Sequence, residues 1–310
     1  MRRKFQTYNK RYGYPLPTAI LLASLSIVLL LSGCAESGST SSVFRGNLKI
    51  TGSTALQPLV KIAAQYFMKM HPQVHIDVEG TGSINGLKDV INKRAHIGNS
   101  DIYADPAFYP DPNMTDHIVC VIPFTMITNP DVNVSSLTQE DITKIFSTGE
   151  INNWKQVGGP DLRIVPVVRP STSGTRDTFR KYILGGLDEK GTLLQTDVST
   201  AVRDTVAKTP GAIGYLALSV LDKAVHSIVI NNQSPTQENI VSGRYVFWAY
   251  EHMYTLGDDN QLIATFLDFM LSKQVQQEAK NLRYIPIDAM KLPKVDAVRK
   301  GSEDTHDEPL

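Results

Sequence analysis

Arg169-Pro-Ser-Thr-Ser-Gly-Thr-Arg176 lies between an apolar run, Ile164-Val-Pro-Val-Val168, and a segment in which Phe179, Tyr182 and Ile183 fall at helical spacing. The run reads as a short buried strand, so the octapeptide is a small-residue turn between a strand and a helix. Such a junction presents free backbone N–H groups, because the first helical turn leaves its donors unpaired and the helix dipole favours negative charge there. Ser173 and Thr175 add hydroxyl donors, and Arg169 at the strand's end adds a fixed cation with a planar fork of donors. Taken alone, the segment also fits a plain Ser/Thr helix cap beside a surface arginine.

Two further stretches repeat the layout. Asn47-Leu-Lys-Ile-Thr51 alternates like a strand, and Gly52-Ser53-Thr54 opens a helix with an apolar stripe of Leu59, Ile62, Ala63, Tyr66 and Phe67 and with Pro58 in its first turn. Val74-His-Ile-Asp-Val78 leads through Gly80-Thr-Gly-Ser-Ile-Asn-Gly86 into a helix carrying Leu87, Val90 and Ile91. Three such junctions in one chain argue against three unrelated caps.

Working outward, Ala95 to Asp101 is an apolar strand ending in Asn99-Ser100-Asp101, and Ile118 to Thr128 is a long β-rich run interrupted by Pro123. A helical pattern follows from Leu137 through Ile142, Ile145 and Phe146, then a loop over Trp154–Pro160. Thr196 to Lys208 reads as a helix stopped by Thr209-Pro210-Gly211, and Ala212–Leu216 and His226–Ile230 read as strands. Asp258 to Lys280 returns to helix. Strands alternating with helices predict α/β lobes, each a mostly parallel sheet flanked by helices. Ile118–Thr128 and Arg244–Tyr250 are the candidate crossover strands. They divide the chain into a discontinuous lobe I (46–122 and 247–300) and a lobe II (123–246), followed by a charged tail, 301–310. Ligands of open α/β sheets bind beyond the carboxyl ends of strands. Thr54, Ser83, Asp101 and the Arg169–Thr175 segment are therefore expected to meet in the cleft between the lobes.

The first 33 residues read as an export signal, with Arg2, Arg3, Lys4, Lys10 and Arg11 ahead of the apolar run Ala19–Leu31. Leu-Ser-Gly-Cys34 resembles a bacterial lipobox, which implies cleavage before Cys34 and its acylation. Residues 34–45 then form a Ser/Gly-rich tether. The 31 basic and 31 acidic residues balance, but the signal holds five of the basic ones, leaving net −5 beyond it. A mildly acidic body argues against nucleic-acid binding, so an anionic ligand must be held by local donors. Cys120 has no internal partner once Cys34 is acylated and is expected to be a small buried hydrophobe.

Thr51-Gly-Ser-Thr-Ala-Leu-Gln-Pro58, Gly80-Thr-Gly-Ser83, Ile97-Gly-Asn-Ser-Asp101, Ser173-Gly-Thr-Arg176 and Thr209-Pro-Gly-Ala-Ile-Gly-Tyr-Leu216 together resemble the Pst-type phosphate-binding proteins of bacterial ABC transporters. The resemblance spans about Gly46 to Pro286. It implies a type II periplasmic-binding-protein fold that closes on inorganic phosphate by hinge motion, needs no cofactor and delivers to a membrane-embedded ABC permease. The chain would be a monomer, anchored to the lipid bilayer through Cys34 at the outer face of the cell membrane, or in the periplasm or outer membrane of a two-membrane cell. The family's ligand residues fall on Ser53, Thr54 and Ala55, Ser83, Ser100 and Asp101, and Arg169, Ser173, Gly174 and Thr175. Where some members pair the arginine with an aspartate two residues on, this chain has Ser171. Phosphate near neutral pH keeps a proton that sulfate lacks, so a desolvated carboxylate such as Asp101 accepts from P–OH but meets only lone pairs on sulfate. The rival readings are an exported phosphatase-like hydrolase, a binding protein for another oxyanion, and a scaffold that kept the fold without the ligand. Against the hydrolase stand the absence of Gly-x-Ser-x-Gly and His-Glu-x-x-His and a set of seven histidines without metal-ligand spacing. His71 and His75, separated by Pro72, are expected to be solvated.

Overall fold

The computed structural model describes residues 44–193, 198–257 and 260–290. The expected signal, Cys34, most of the tether and the charged tail lie outside them. The strands are β1 (Gly46–Gly52), β2 (Val74–Gly80), β3 (Ile97–Ser100), β4 (Met114–Thr128), β5 (Ser136–Leu137), β6 (Val165–Val168), β7 (Thr192–Leu193), β8 (Ala212–Ala217), β9 (His226–Ile230), β10 (Trp248–Leu256) and β11 (Ile285–Pro286). The α-helices are α1 (Gln57–Met70), α2 (Ser83–Ile91), α3 (Gln139–Thr143), α4 (Gly174–Tyr182), α5 (Ser199–Lys208), α6 (Gln237–Val241), α7 (Gln261–Met270) and α8 (Lys273–Asn281).

The sheet is mixed, and β4 carries it from one half of the molecule to the other. In the first half β1 is parallel to both β2 and β3, while β10 runs antiparallel to β3 and to Met114–Pro123 of β4. In the second half Phe124–Thr128 of the same strand pairs antiparallel with β8, and β6 lies parallel to β8. The hand-over falls at Pro123, a residue without an N–H for the ladder. The chain returns beside it: Phe124 N–H donates to the Phe247 carbonyl at 3.0 Å, and the Tyr245 hydroxyl donates to the Phe124 carbonyl at 2.7 Å.

Helix placement follows the apolar spacing. Leu59, Val60, Ala63, Ala64 and Phe67 of α1 are buried, and Phe67 meets Phe266 of α7 edge-on at 5.3 Å. Val202 and Val206 of α5 pack with Ile127, Val167 and Leu216 in a smaller cluster. Phe124, Phe146, Phe179, Tyr215 and Phe247 form an aromatic core beneath α4, with Phe179 stacked on Tyr215 at 4.2 Å. Cys120 is a free, buried thiol, pushed well up from its ordinary pKa by burial.

Four local expectations change. The helix expected over 258–280 is two helices, because Ser272 caps α8 by accepting from Val275 N–H while Leu271 turns out to solvent. The loop at Trp154 is a short 3-10 turn capped by Asn153, and the buried Trp154 indole donates to the Gly211 carbonyl at 2.9 Å. The helix from Leu137 is brief: α3 gives way to a wider π-type turn at Lys144–Thr148 that buries Ile145 and Phe146. His75 is exposed as expected, but His71 is half-buried, its ring 4.5 Å from Phe67 and 5.2 Å from Phe44 at the end of α1.

Candidate functional site

The three turns converge. After β1, the chain bends so tightly over Gly52 (φ +123°) that a Cβ there would lie 2.1 Å from the Asn99 carbonyl. Ser53 N–H donates to that carbonyl at 2.9 Å, and the Ser53 hydroxyl donates to Asp101 Oδ1 while accepting from the N–H groups of Ala55 and Leu56 at 3.1 and 3.0 Å. The second turn rests on the first, with Thr81 and Gly82 donating to the Gly52 carbonyl at 2.9 and 2.8 Å. Ser83, first residue of α2, accepts from Asp101 N–H at 3.0 Å.

The turn into α4 closes the ring from the other half. Ser173 caps α4 by accepting from Arg176 N–H at 3.3 Å, and Thr175 Oγ1 donates to Asp101 Oδ2 at 2.8 Å. Ile84 N–H donates to the Thr172 carbonyl at 3.2 Å. Gly174 sits so close to this contact that a Cβ would fall 2.3 Å from Ser83 Oγ and 3.0 Å from Asp101 Cβ. Arg169, 1% exposed, donates through Nη2 to Thr54 Oγ1 at 3.0 Å and through Nη1 to Ser199 Oγ at 3.4 Å. Thr54 Oγ1 and Ser199 Oγ share a further hydrogen bond of 2.8 Å. Ser53, Thr54, Ala55, Ser83, Asp101, Arg169, Ser173, Gly174 and Thr175 are thus brought to one buried locus. It holds one guanidinium, one carboxylate and several small hydroxyls, the donor set of an oxyanion nest.

Two of the expected residues are engaged differently. Ser100 is fully buried, but its hydroxyl donates to the Ile102 carbonyl at 2.7 Å and accepts from Ile102 N–H at 3.1 Å, so it fastens its own turn. Ala55 N–H is directed to Ser53 Oγ, because α1 begins only at Gln57. The second arginine of the opening stretch belongs to the scaffold. Arg176 is ion-paired with Glu189, whose carboxylate also accepts from the Tyr215 hydroxyl at 2.7 Å. Burial holds the Glu189 carboxyl above its ordinary range, opposed by these two donors.

Sequence reasoning missed two residues here. Ser199 opens α5, and the sequence ahead of it, 194–198, lacks the glycines of the other three junctions. Glu251 is fully buried in β10, and the available signal was an acid inside the aromatic run Tyr245–Tyr254. Burial, and then the charge of Asp101, hold its carboxyl well above the usual carboxylate range. Among the described residues, no group of three or more His, Cys, Asp or Glu is placed to hold a metal ion, and no helix is long and apolar enough to cross a membrane.

Two α/β halves strung on paired crossing strands, with polar side chains of both halves interlocked between them, define a substrate-binding protein. The model of the PBP superfamily domain matches residues 37–274, and the chain belongs to that superfamily and, within it, to the PstS family. It is 41% identical over 250 residues to phosphate-binding protein PstS of Bacillus subtilis (strain 168), covering 80% of this chain and 83% of that protein. It is 25% identical over 254 residues to phosphate-binding protein PstS of Borreliella burgdorferi, covering 77% and 90%. Among solved structures, a protein of Clostridium perfringens described as a phosphate ABC transporter substrate-binding protein, with bound phosphate, superposes with a TM-score of 0.71 at 26% identity, covering 78% of this chain and 99% of that one.

Proposed function

We propose that this chain binds inorganic phosphate between its two halves and passes it to an ABC importer, without chemical change to the anion. The observation that carries the reading is that Arg169 and Asp101, a buried cation and a buried carboxylate, share one locus with the hydroxyls of Ser53, Thr54 and Thr175. The arginine offsets the anion's lost hydration, and the carboxylate accepts from P–OH, which sulfate cannot offer. Ser83, Ser173, Gly174 and Thr175 frame the nest, and a single added methyl at Gly174 would obstruct it. In this reading Ser199 joins Thr54 in steering the guanidinium, Ala55 contributes to the wall, and Ser100 holds the Asp101 turn.

The printed names of the PstS relatives and the phosphate-bound Clostridium structure support the same ligand. The relatives' class also supports export and a permease partner. Acylation of Cys34 would tether the chain, as a monomer, to the outer face of a membrane, with residues 34–45 as leash. The lobes would be 46–122 with 247–300, and 123–246, turning on the two crossings. Calorimetric titration of the anion-stripped protein with phosphate and then sulfate tests the reading. Saturable binding of phosphate with sulfate failing to compete is expected. Equal binding of the two anions, or of neither, would defeat it, and turnover of a chromogenic phosphate ester would favour the hydrolase instead.

A further inference from the structure

The phosphate reading leaves Glu251 without a role. β10 runs antiparallel to β3 with His252 opposite Ser100, which sets Glu251 opposite Asp101, one step past the end of β3. The register of β10 against β4 shifts between Glu251 and His252, a β-bulge of the kind that re-aims a side chain beside a site. Glu251 is 0% exposed, and neither of its carboxyl oxygens receives a hydrogen bond from an N–H or hydroxyl donor. Its neighbour across the strands is Asp101, and, after burial, the charge and the carboxyl contact of Asp101 both act to raise the Glu251 carboxyl. Among the described residues, the Cys120 thiol, opposite it on β4, and the Tyr284 hydroxyl beyond α8, which is donated to the Ala55 carbonyl, also bear on it. Burial and then the Glu251 carboxyl push both of those groups upward, so neither is charged near neutral pH.

We propose that Asp101 and Glu251 form a carboxyl pair that shares one proton, held on Glu251, and that this proton keeps Asp101 the ionised acceptor on which discrimination among tetrahedral anions depends. The inference rests on the phosphate reading. Two adjacent buried carboxylates do not both ionise, since each raises the cost of charge on the other. The hydrogen bonds decide which keeps the proton. Asp101 receives hydroxyls from Ser53 and Thr175, which stabilise a carboxylate, whereas Glu251 receives none. A proton on Asp101 would turn the acceptor into a donor and welcome sulfate. No proton on either would place two negative charges under the anion. Glu251 is thus a positioning residue acting through Asp101, and its side chain need not touch the ligand.

Infrared difference spectroscopy on the anion-free protein, with isotope-labelled glutamate side chains, reads the proton directly. An un-ionised glutamic acid carbonyl stretch near neutral pH is expected, absent from Glu251→Gln and moving in frequency when phosphate is added. Absence of that band in the wild type overturns the pair, and this measurement stands even if the variant fails to fold. The phosphate Kd of wild type relative to Glu251→Gln, a ratio in which phosphate's own ionisation cancels, is expected to rise on the order of tenfold over the alkaline interval in which the band fades. A ratio that stays flat while the band fades overturns the role in binding. Phosphate binding without an acid band takes down the pair alone. An acid band in a protein that does not bind phosphate takes down the phosphate reading, and with it the role in discrimination.

Discussion

Glu189 and Asp101 are both buried carboxylates within reach of the same helix, and their partners differ in kind. Glu189 is clamped by the Arg176 guanidinium and by the hydroxyl of Tyr215, a ring locked into the aromatic core. Asp101 receives the hydroxyls of Ser53 and Thr175, small side chains that turn about one bond, one from each half of the molecule. A carboxylate met by a cation and a packed ring is spent on holding the fold. One met by rotatable hydroxyls keeps capacity for an incoming donor, because its partners can be re-aimed without moving the backbone. The contrast explains how one turn-and-helix unit, Arg169 to Tyr182, supplies both a scaffold ion pair and part of the candidate site.

Arg169→Ala should weaken phosphate binding by roughly a thousandfold, about 4 kcal/mol, since it strips the charge-assisted donors from a buried locus. Calorimetry reads the loss, and an unchanged circular dichroism spectrum shows that the fold is kept. Glu189→Gln should do the reverse, costing about 3 kcal/mol of unfolding free energy in denaturant titration because Arg176 loses its buried partner, with phosphate affinity unaltered. A large affinity loss there would erase the distinction drawn between the two acids. The third test concerns pH. Glu251 has its folded-state pKa raised, so its contribution to stability is present below the ordinary carboxylate range and is lost as pH climbs toward the folded value. Wild type should lose about 1.4 kcal/mol per pH unit in that window relative to Glu251→Gln. The Tm difference, variant minus wild type, should accordingly grow with rising pH, and a constant difference contradicts a buried proton. Asp101→Asn should relax the preference for phosphate over sulfate by about tenfold in competition calorimetry, because the amide can donate to either anion. Ser199→Ala is the mildest change, expected to weaken binding about fivefold through loss of one neutral hydrogen bond, about 1 kcal/mol, at the Thr54–Arg169 junction.

Much of this site was readable in the chain itself, for a local reason. Gly52-Ser-Thr, Gly82-Ser83 and Ser173-Gly-Thr each sit between an alternating or apolar run and a helical stripe, and that sequence of patterns fixes where a helix begins and what its first donors face. Arg169 followed from the same logic, as the residue just past a short strand. What escaped was non-local. Ser199 matters because its hydroxyl reaches Thr54, 145 residues away in the chain, and no periodicity carries that distance. Glu251 faces Asp101 through the register of two antiparallel strands, which depends on a bulge that leaves no mark in composition. Ser100 looked equivalent to its neighbour, yet its hydroxyl folds back on Ile102, a choice set by turn geometry. The break at Leu271–Ser272 was a capping signal overridden in reading by a long apolar stripe.

Pro123 and Phe124 sit where the long strand passes from one set of partners to the other, and both main-chain polar groups of Phe124 are committed to the returning segment, one to Phe247 and one to Tyr245. The two passages between halves are therefore tied to each other like the leaves of a door hinge around one pin. Just before that knot, Pro123 has no amide to strand when the pin turns. On the proposed phosphate reading, a swivel at this point would rupture few bonds, and grip and release would be a matter of leverage about a fixed axle and not of unravelling either sheet.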